Sequence, residues 1–199
     1  MVKVVIFQII LLMVQGILYL GVQKLEGPAH DVSSKLDQKI PLWTPSVLIY
    51  VLWFPLIAIF PLCLYVDDPE QYVWYIATII VDILLSSIVY LAYPSSFQRP
   101  IPPDTITGRI LSILYVCNYQ GKNCMPSMHC SMCFIIAFFA MLCMPGNMML
   151  YIGFLILALM IVVSTVLTKQ HVIIDVITGL MVAVVSVGIG MWLKGVVCI

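Results

Sequence analysis

The sequence predicts an all-α membrane bundle of six transmembrane helices, with an extra interfacial helix in the loop between helices three and four. Three observations carry that expectation. Of 199 residues, 63% are hydrophobic and 9% are charged, whereas a soluble domain carries about 25% charged residues. Six apolar segments, at about 4–22, 46–65, 72–92, 128–144, 148–168 and 173–193, approach the roughly 20 residues a helix needs to cross a bilayer core. These runs are continuously apolar and far longer than the strands of a membrane barrel. No internal repeat is evident, so residues 1–199 read as one integral membrane domain. A formal net charge of zero gives no argument for nucleic acid or another polyanion as partner.

The segments follow one another with unequal connections. The first, Val4 to Val22, is too long for the apolar part of a cleavable signal and lacks a small-residue cleavage site, so it is expected to stay as a helix. Asp67-Asp68-Pro69-Glu70-Gln71 makes a tight turn between the second and third segments, and Pro145-Gly146-Asn147 makes another after the short fourth. On the opposite side lie the loops 23–45 and 93–127 and the polar patch from Ser164 to Asp175. An even number of spans puts both termini with the tight turns, so polar complexity gathers on one face. Loops of such length in a compact protein are usually functional or disordered. Within the longer one, Thr107 to Cys117 reads as a short helix, with Ile110, Leu111, Ile113, Leu114 and Val116 apolar. It is placed to lie along the interface or to fold over a site. Asp82 lies about ten residues, or ~15 Å, below that face in the third span. So deep an ionisable residue is expected to face the bundle interior and pair, with a role beside a lipid-access groove as the functional alternative.

The candidate chemistry sits on the complex face. His171 and Asp175 stand four residues apart, which stacks them on one helical face if the last span reaches back to His171. A carboxylate there bonds one imidazole nitrogen, fixes the tautomer and leaves the other nitrogen to act. Pro126-Ser127-Met128-His129 leads into the fourth span. Ser127 is a natural N-cap. The free N–H groups and positive dipole of that helix end suit a phosphate. His129 occupies its first turn, on the same side as His171. Two imidazoles and a carboxylate suit phosphoryl transfer through a covalent intermediate: one attacks phosphorus, the other gives and takes the proton. Positive charge around the phosphate oxygens comes first from Arg99, just past the third span, and second from Lys169.

Competing readings are weaker. Two histidines and an aspartate are also a zinc or iron ligand set, but the remaining acids of this face, Glu26, Asp31, Asp37 and Asp104, are too dispersed for a magnesium site. No metal and no cofactor is expected. Cys130-x-x-Cys133 has no second pair to complete a zinc site, and seven cysteines are an odd number for a disulfide framework. Cys117 and Cys124 share a loop, yet thiols in apolar surroundings are the expectation throughout. His30 is read as a loop residue without partners.

At these residues the chain resembles the type 2 phosphatidic acid phosphatase superfamily of membrane enzymes, whose motifs are Lys-x6-Arg-Pro, Pro-Ser-Gly-His and Ser-Arg-x5-His-x3-Asp. The second stands here as Pro126-Ser127-Met128-His129, and the third as Ser164-Thr165, five residues, His171, three residues, Asp175. The first survives as Arg99-Pro100, with Ala92 where lysine is expected. The resemblance implies a six-helix, metal-independent enzyme acting on phosphorylated lipids or lipid pyrophosphates. By that analogy His171 becomes the phosphohistidine, Asp175 orients it, His129 is the general acid, and Ser127, Ser164 and Arg99 bind phosphate.

Met128 replaces the family glycine, Thr165 the arginine and Ala92 the lysine, so two phosphate cations are missing. Lys169 and Lys122 are candidates to replace them. With threonine in place of arginine, the run from Ser164 to His171 is also similar to the inositol phosphorylceramide and sphingomyelin synthase branch. That branch passes a phosphoryl head group to a lipid alcohol such as ceramide or diacylglycerol. The expected function is hydrolysis of a phosphorylated lipid, with lipid phosphotransfer second. A non-catalytic lipid transporter or binding protein is the rival from another class. Counting Lys24, Lys35, Lys39, Arg99, Arg109, Lys122 and Lys169 against Lys3 and Lys194 puts the complex face in the cytoplasm by the positive-inside rule. A site for anions needs cations of its own, however, and the resemblance implies an extracytoplasmic site, which is the expectation adopted.

Overall fold

The structure, a computed structural model, describes residues 1–25, 28–117 and 122–197. The long apolar runs are helical, since an apolar chain without strand alternation satisfies its own backbone groups only that way. In chain order the elements are helix α1 (Val2–Leu25), strand β1 (His30–Asp31), helices α2 (Lys35–Lys39), α3 (Val47–Tyr50), α4 (Trp53–Asp67) and α5 (Pro69–Ala92), strand β2 (Ser95–Ser96), and helices α6 (Ile106–Cys117), α7 (Met128–Cys143), α8 (Met148–Leu167) and α9 (Ile173–Val197). Five helical stretches are long and apolar enough to cross a membrane: Val2–Val22, Thr44–Asp67, Pro69–Ala92, Met148–Leu167 and Ile173–Val196. They fit an integral membrane protein. Helix α7 is apolar but only 16 residues long.

Local chemistry sets the helix ends. Asp68 caps α5, accepting from the N–H groups of Glu70 and Gln71 at 3.1 and 3.0 Å, with Pro69 at the first helical position. The second apolar stretch is not the single helix expected. Pro55 has no N–H to give the Val51 carbonyl. The Phe54 N–H takes that carbonyl instead, at 3.3 Å, and α3 gives way to α4 between Tyr50 and Trp53.

Helix α7 is the centre of the packing, lying against α5, α8 and α9 with Ile135, Ile136, Phe139 and Ala140 fully buried. Helix α1 is peripheral and leaves Ile6, Ile9, Met13 and Ile17 exposed. Glycines on α9 permit close approach. A Cβ at Gly179 would lie 2.9 Å from the Ser127 carbonyl oxygen, and one at Gly190 would lie 2.9 Å from Thr78 Cα. Asp82 is buried in α5 and accepts from the Ser131 hydroxyl of α7 at 2.9 Å, the interior partner its depth required.

The loops knit into a polar cap over one end of the bundle. Strands β1 and β2 pair in parallel, His30 with Ser95 and Asp31 with Ser96, and Ser96 also bridges Lys122. His30 is therefore not without partners: it sits in this ladder and stacks on Tyr93 with ring centroids 4.6 Å apart. Pairing of segments so distant in sequence has no local signature. The expected short helix is present as α6, joined to the cap where Tyr115 donates its hydroxyl to the Thr168 carbonyl at 2.6 Å. Cys63, Cys117, Cys124, Cys130, Cys133 and Cys143 are free thiols. Glu26 and Cys198 lie outside the described residues.

Candidate active site

His171 is held at the end of a tight reversal between α8 and α9. The N–H groups of Gln170 and His171 both reach the Thr165 carbonyl, at 3.0 and 3.1 Å, and Lys169 takes a left-handed φ of 53° to make the turn. Nδ1 of His171 faces two acceptors, Asp175 Oδ2 at 3.2 Å and the Cys124 carbonyl at 3.1 Å. Two acceptors at one nitrogen assign the proton there and leave the lone pair on Nε2. Nε2 is buried without a hydrogen-bond partner among the described residues.

Asp175 does two jobs at the start of α9. Its Oδ2 also accepts from the Val172 N–H at 3.0 Å, the reach-back of a carboxylate in a first helical turn. Its backbone carbonyl accepts from the Ser127 N–H at 3.1 Å, which joins the two halves of the site. Ser127 is the N-cap of α7, as its position before an apolar run predicts, and its hydroxyl oxygen accepts from the Cys130 N–H at 3.2 Å.

His129 follows in the first turn of α7. Its ring centroid is 5.6 Å from that of His171. Its Nε2 lies 2.9 Å from the Tyr50 hydroxyl, and its ring packs on Trp53 at 4.3 Å. Both histidines line a cavity of about 510 Å³, a volume typical of small-molecule sites. Its walls are mainly apolar and aromatic, from Leu12, Tyr19, Phe54, Ile57 and Leu114, with Gln15, Asn123 and Gln170 as uncharged polar groups.

The remaining expected residues are placed differently. Arg99 packs its guanidinium against Phe97 and Tyr115, 5.6 and 5.0 Å from their ring centroids, and donates from Nη2 to the Gln170 carbonyl at 3.3 Å, beside His171. Ser164 is not brought to the cavity: its hydroxyl donates to the Ile161 carbonyl at 2.7 Å within its own helix. Lys169 reaches away, donating from Nζ to the Asp37 carbonyl at 2.7 Å. Burial pulls the Lys169 ammonium below the usual lysine range, with Asp37 opposing that shift. Thr165 donates to Val162 O at 2.7 Å and sits 3.4 Å from Cys130 Sγ, while Ala92, the last residue of α5, is exposed.

Tyr50, Trp53 and Asn123 carry no motif. In sequence Tyr50 and Trp53 look like any aromatic pair at a span end. Asp37 had a local signal, the Ser34-x-x-Asp37 capping box, but not one for its contact with α9. No group of three or more His, Cys, Asp or Glu side chains among the described residues is placed to hold a metal ion.

The family profile of the PAP2 superfamily matches residues 71–196, which include every expected site residue. No curated protein and no solved structure matches the chain significantly. Members of this superfamily are phosphatases or phosphotransferases, so the chemistry belongs to phosphorylated substrates. The match covers well over half the chain and joins the motifs around Arg99, His129 and His171: the protein belongs to the PAP2 superfamily, the type 2 phosphatidic acid phosphatase superfamily.

Proposed function

We propose that this protein is a multi-pass membrane enzyme that removes phosphate from a phosphorylated lipid through a phosphohistidine on His171. The observation that carries the reading is the pair of histidines 5.6 Å apart in one largely apolar cavity, with His171 Nδ1 tied to Asp175. Nε2 of His171 attacks phosphorus, the P–N bond forms, and the bond to the leaving oxygen breaks. His129 donates the proton to that oxygen. In the second half, water attacks phosphorus, His129 takes its proton, and the P–N bond breaks. The free N–H groups at the start of α7, beside Ser127, and the guanidinium of Arg99 are the groups assigned to the phosphate oxygens. Ser164 and Lys169, whose polar atoms hold backbone carbonyls, are not assigned direct contact. The apolar walls of the cavity, partly from α1 and α4, take the lipid tails.

The same reading makes residues 1–199 one domain and α7 a sixth span. At about 1.5 Å per residue α7 is ~24 Å long, somewhat short of a ~30 Å hydrocarbon core. Its burial among α5, α8 and α9 supports that place. Helix α6, with Ile106, Ile113 and Val116 exposed, lies at the interface, and the site opens on the extracytoplasmic face.

Lipid phosphotransfer is the second reading. It is favoured by Thr165 in place of arginine and by a cavity whose polar lining beyond the histidines is uncharged. The test is rapid acid-free trapping with a ³²P-labelled lipid phosphate in the presence of EDTA. Label is expected on wild type and absent from His171→Ala. Label persisting in that variant, or turnover abolished by EDTA, refutes the mechanism. Added ceramide or diacylglycerol that captures the label distinguishes transferase from hydrolase. Lipid binding without turnover would return the transporter reading.

A further inference from the structure

Helix α9 begins without an acceptor side chain at its N-cap position; its own Asp175 reaches back only to the Val172 N–H. The residues before Ile173 are His171 and Val172, and neither supplies the hydroxyl or carboxylate that a helix start requires. The missing acceptor comes from far upstream. Asp37 Oδ1 accepts from the Ile173 N–H at 2.8 Å. The backbone carbonyl of the same Asp37 accepts from Lys169 Nζ at 2.7 Å. One residue of the short helix α2 therefore grips the His171 turn on both sides, at 169 and at 173.

Asp37 is itself buried and hydrogen-bonded within α2. Its Oδ2 accepts from the Ser34 N–H at 2.8 Å and the Ser34 hydroxyl at 2.5 Å, closing the capping box of α2. It is 7% exposed. Asp175 stands two residues after Ile173, in the first turn that this bond anchors. The geometry of the nucleophile thus depends on a carboxylate that touches neither His171 nor the cavity.

We infer that Asp37 is the positioning residue of the His171–Asp175 pair, acting as a cap supplied to α9 from the short helix α2. This rests on the functional reading above for its effect on rate, but not for its effect on structure. A displacement of about 1 Å at a nucleophile costs about 100-fold in rate, so loosening this anchor lowers turnover while leaving the binding walls intact.

The experiment uses the full chain in lipid nanodiscs, as wild type, Asp37→Ala, Asp37→Asn and Ser34→Ala. Amide hydrogen exchange is followed over residues 168–176, and kcat and KM are measured on a lipid phosphate. Asp37→Ala is expected to speed exchange at Ile173 and its neighbours by about 10-fold and to lower kcat by about 10- to 100-fold. KM should stay within about twofold. Asparagine keeps one oxygen for the Ile173 N–H but turns its NH2 toward the Ser34 N–H, so Asp37→Asn should fall between wild type and Asp37→Ala on both readouts. Ser34→Ala should fall between. Unchanged exchange in Asp37→Ala, or an Asp37→Asn variant as impaired as the alanine one, overturns the inference. Should Asp37→Ala not fold, Ser34→Ala decides: faster exchange over 168–176 supports the clamp, and unchanged exchange overturns it. If wild type turns over no lipid phosphate, the proposed function fails, and the exchange readout still decides the role of Asp37.

Discussion

The hydroxyl of Tyr50 lies 2.9 Å from Nε2 of His129, a residue 79 positions away in sequence and on another helix. Tyr50 is the last residue of α3 and Trp53 the first of α4, on either side of the break at Pro55. Together they hold the imidazole assigned to proton transfer. Tyr50→Phe keeps the ring packing and removes the hydrogen bond. It should lower kcat/KM by about 10-fold, a loss of ~1.4 kcal/mol in transition-state stabilisation. Steady-state kinetics on a lipid phosphate, the proposed substrate class, checks this, and Trp53→Phe offers a control for packing alone.

Asp175 orients His171 and also receives the Val172 N–H. Asp175→Asn removes the charge that stabilises the imidazolium and permits the wrong tautomer. Turnover should fall by about 100- to 10,000-fold while substrate binding changes little. A retained rate above a tenth of wild type would mean that the Cys124 carbonyl alone orients the ring.

Gly179 brings α9 against the first turn of α7. Its Cβ would lie 2.9 Å from the Ser127 carbonyl oxygen and 3.3 Å from Cys130 Cβ. Gly179→Val must therefore push Ser127 and His129 away from His171. The expected cost is about 1–3 kcal/mol of stability, with a loss of activity larger than the fall in melting temperature explains. Thermal unfolding in detergent and kinetics below that transition separate the two effects.

Asp82 pairs with Ser131 inside the bundle, a turn below the capped end of α7. An asparagine oxygen accepts the same hydroxyl. Asp82→Asn should leave folding and turnover near wild type, and Asp82→Leu should destabilise by about 1–3 kcal/mol by removing Ser131's buried acceptor. A turnover defect in Asp82→Asn with unchanged stability would give Asp82 a part in lipid access.

The Asp37 clamp carries a pH signature. Burial works against its charge. The bonds from Ser34 and Ile173 and the nearby Lys169 prevail and hold the carboxyl below the usual carboxylate range. A group whose folded pKa is depressed stabilises above its unfolded value, about 3.9, and that stability is lost as pH falls through the folded value. Wild type should therefore exceed Asp37→Asn in melting temperature at pH 6–7, by about 2–4 °C if the charge is worth about 1 kcal/mol. The two should converge toward pH 3. A constant gap across that range would show that the carboxylate's charge contributes nothing.

Much of this protein was legible from its sequence. Hydrophobic runs near bilayer length define the helices whatever surrounds them, because an apolar chain has one local solution to backbone hydrogen bonding. Ser127 before an apolar run caps α7 as its position predicts, and the Asp67–Gln71 turn lies where it was expected. His171 does meet Asp175, but from two residues before α9, which starts at Ile173, and not along one helical face. The tertiary structure decided what crosses long separations. It set Tyr50 beside His129, Asp37 at the start of α9, and β1 beside β2. It also turned Ser164 into its own helix and Lys169 toward Asp37, against their expected place at the phosphate. The physical reason is one of range. A side chain's neighbours along a helix follow from its periodicity, but its neighbours on other elements depend on how the helices pack, and no local pattern encodes that packing.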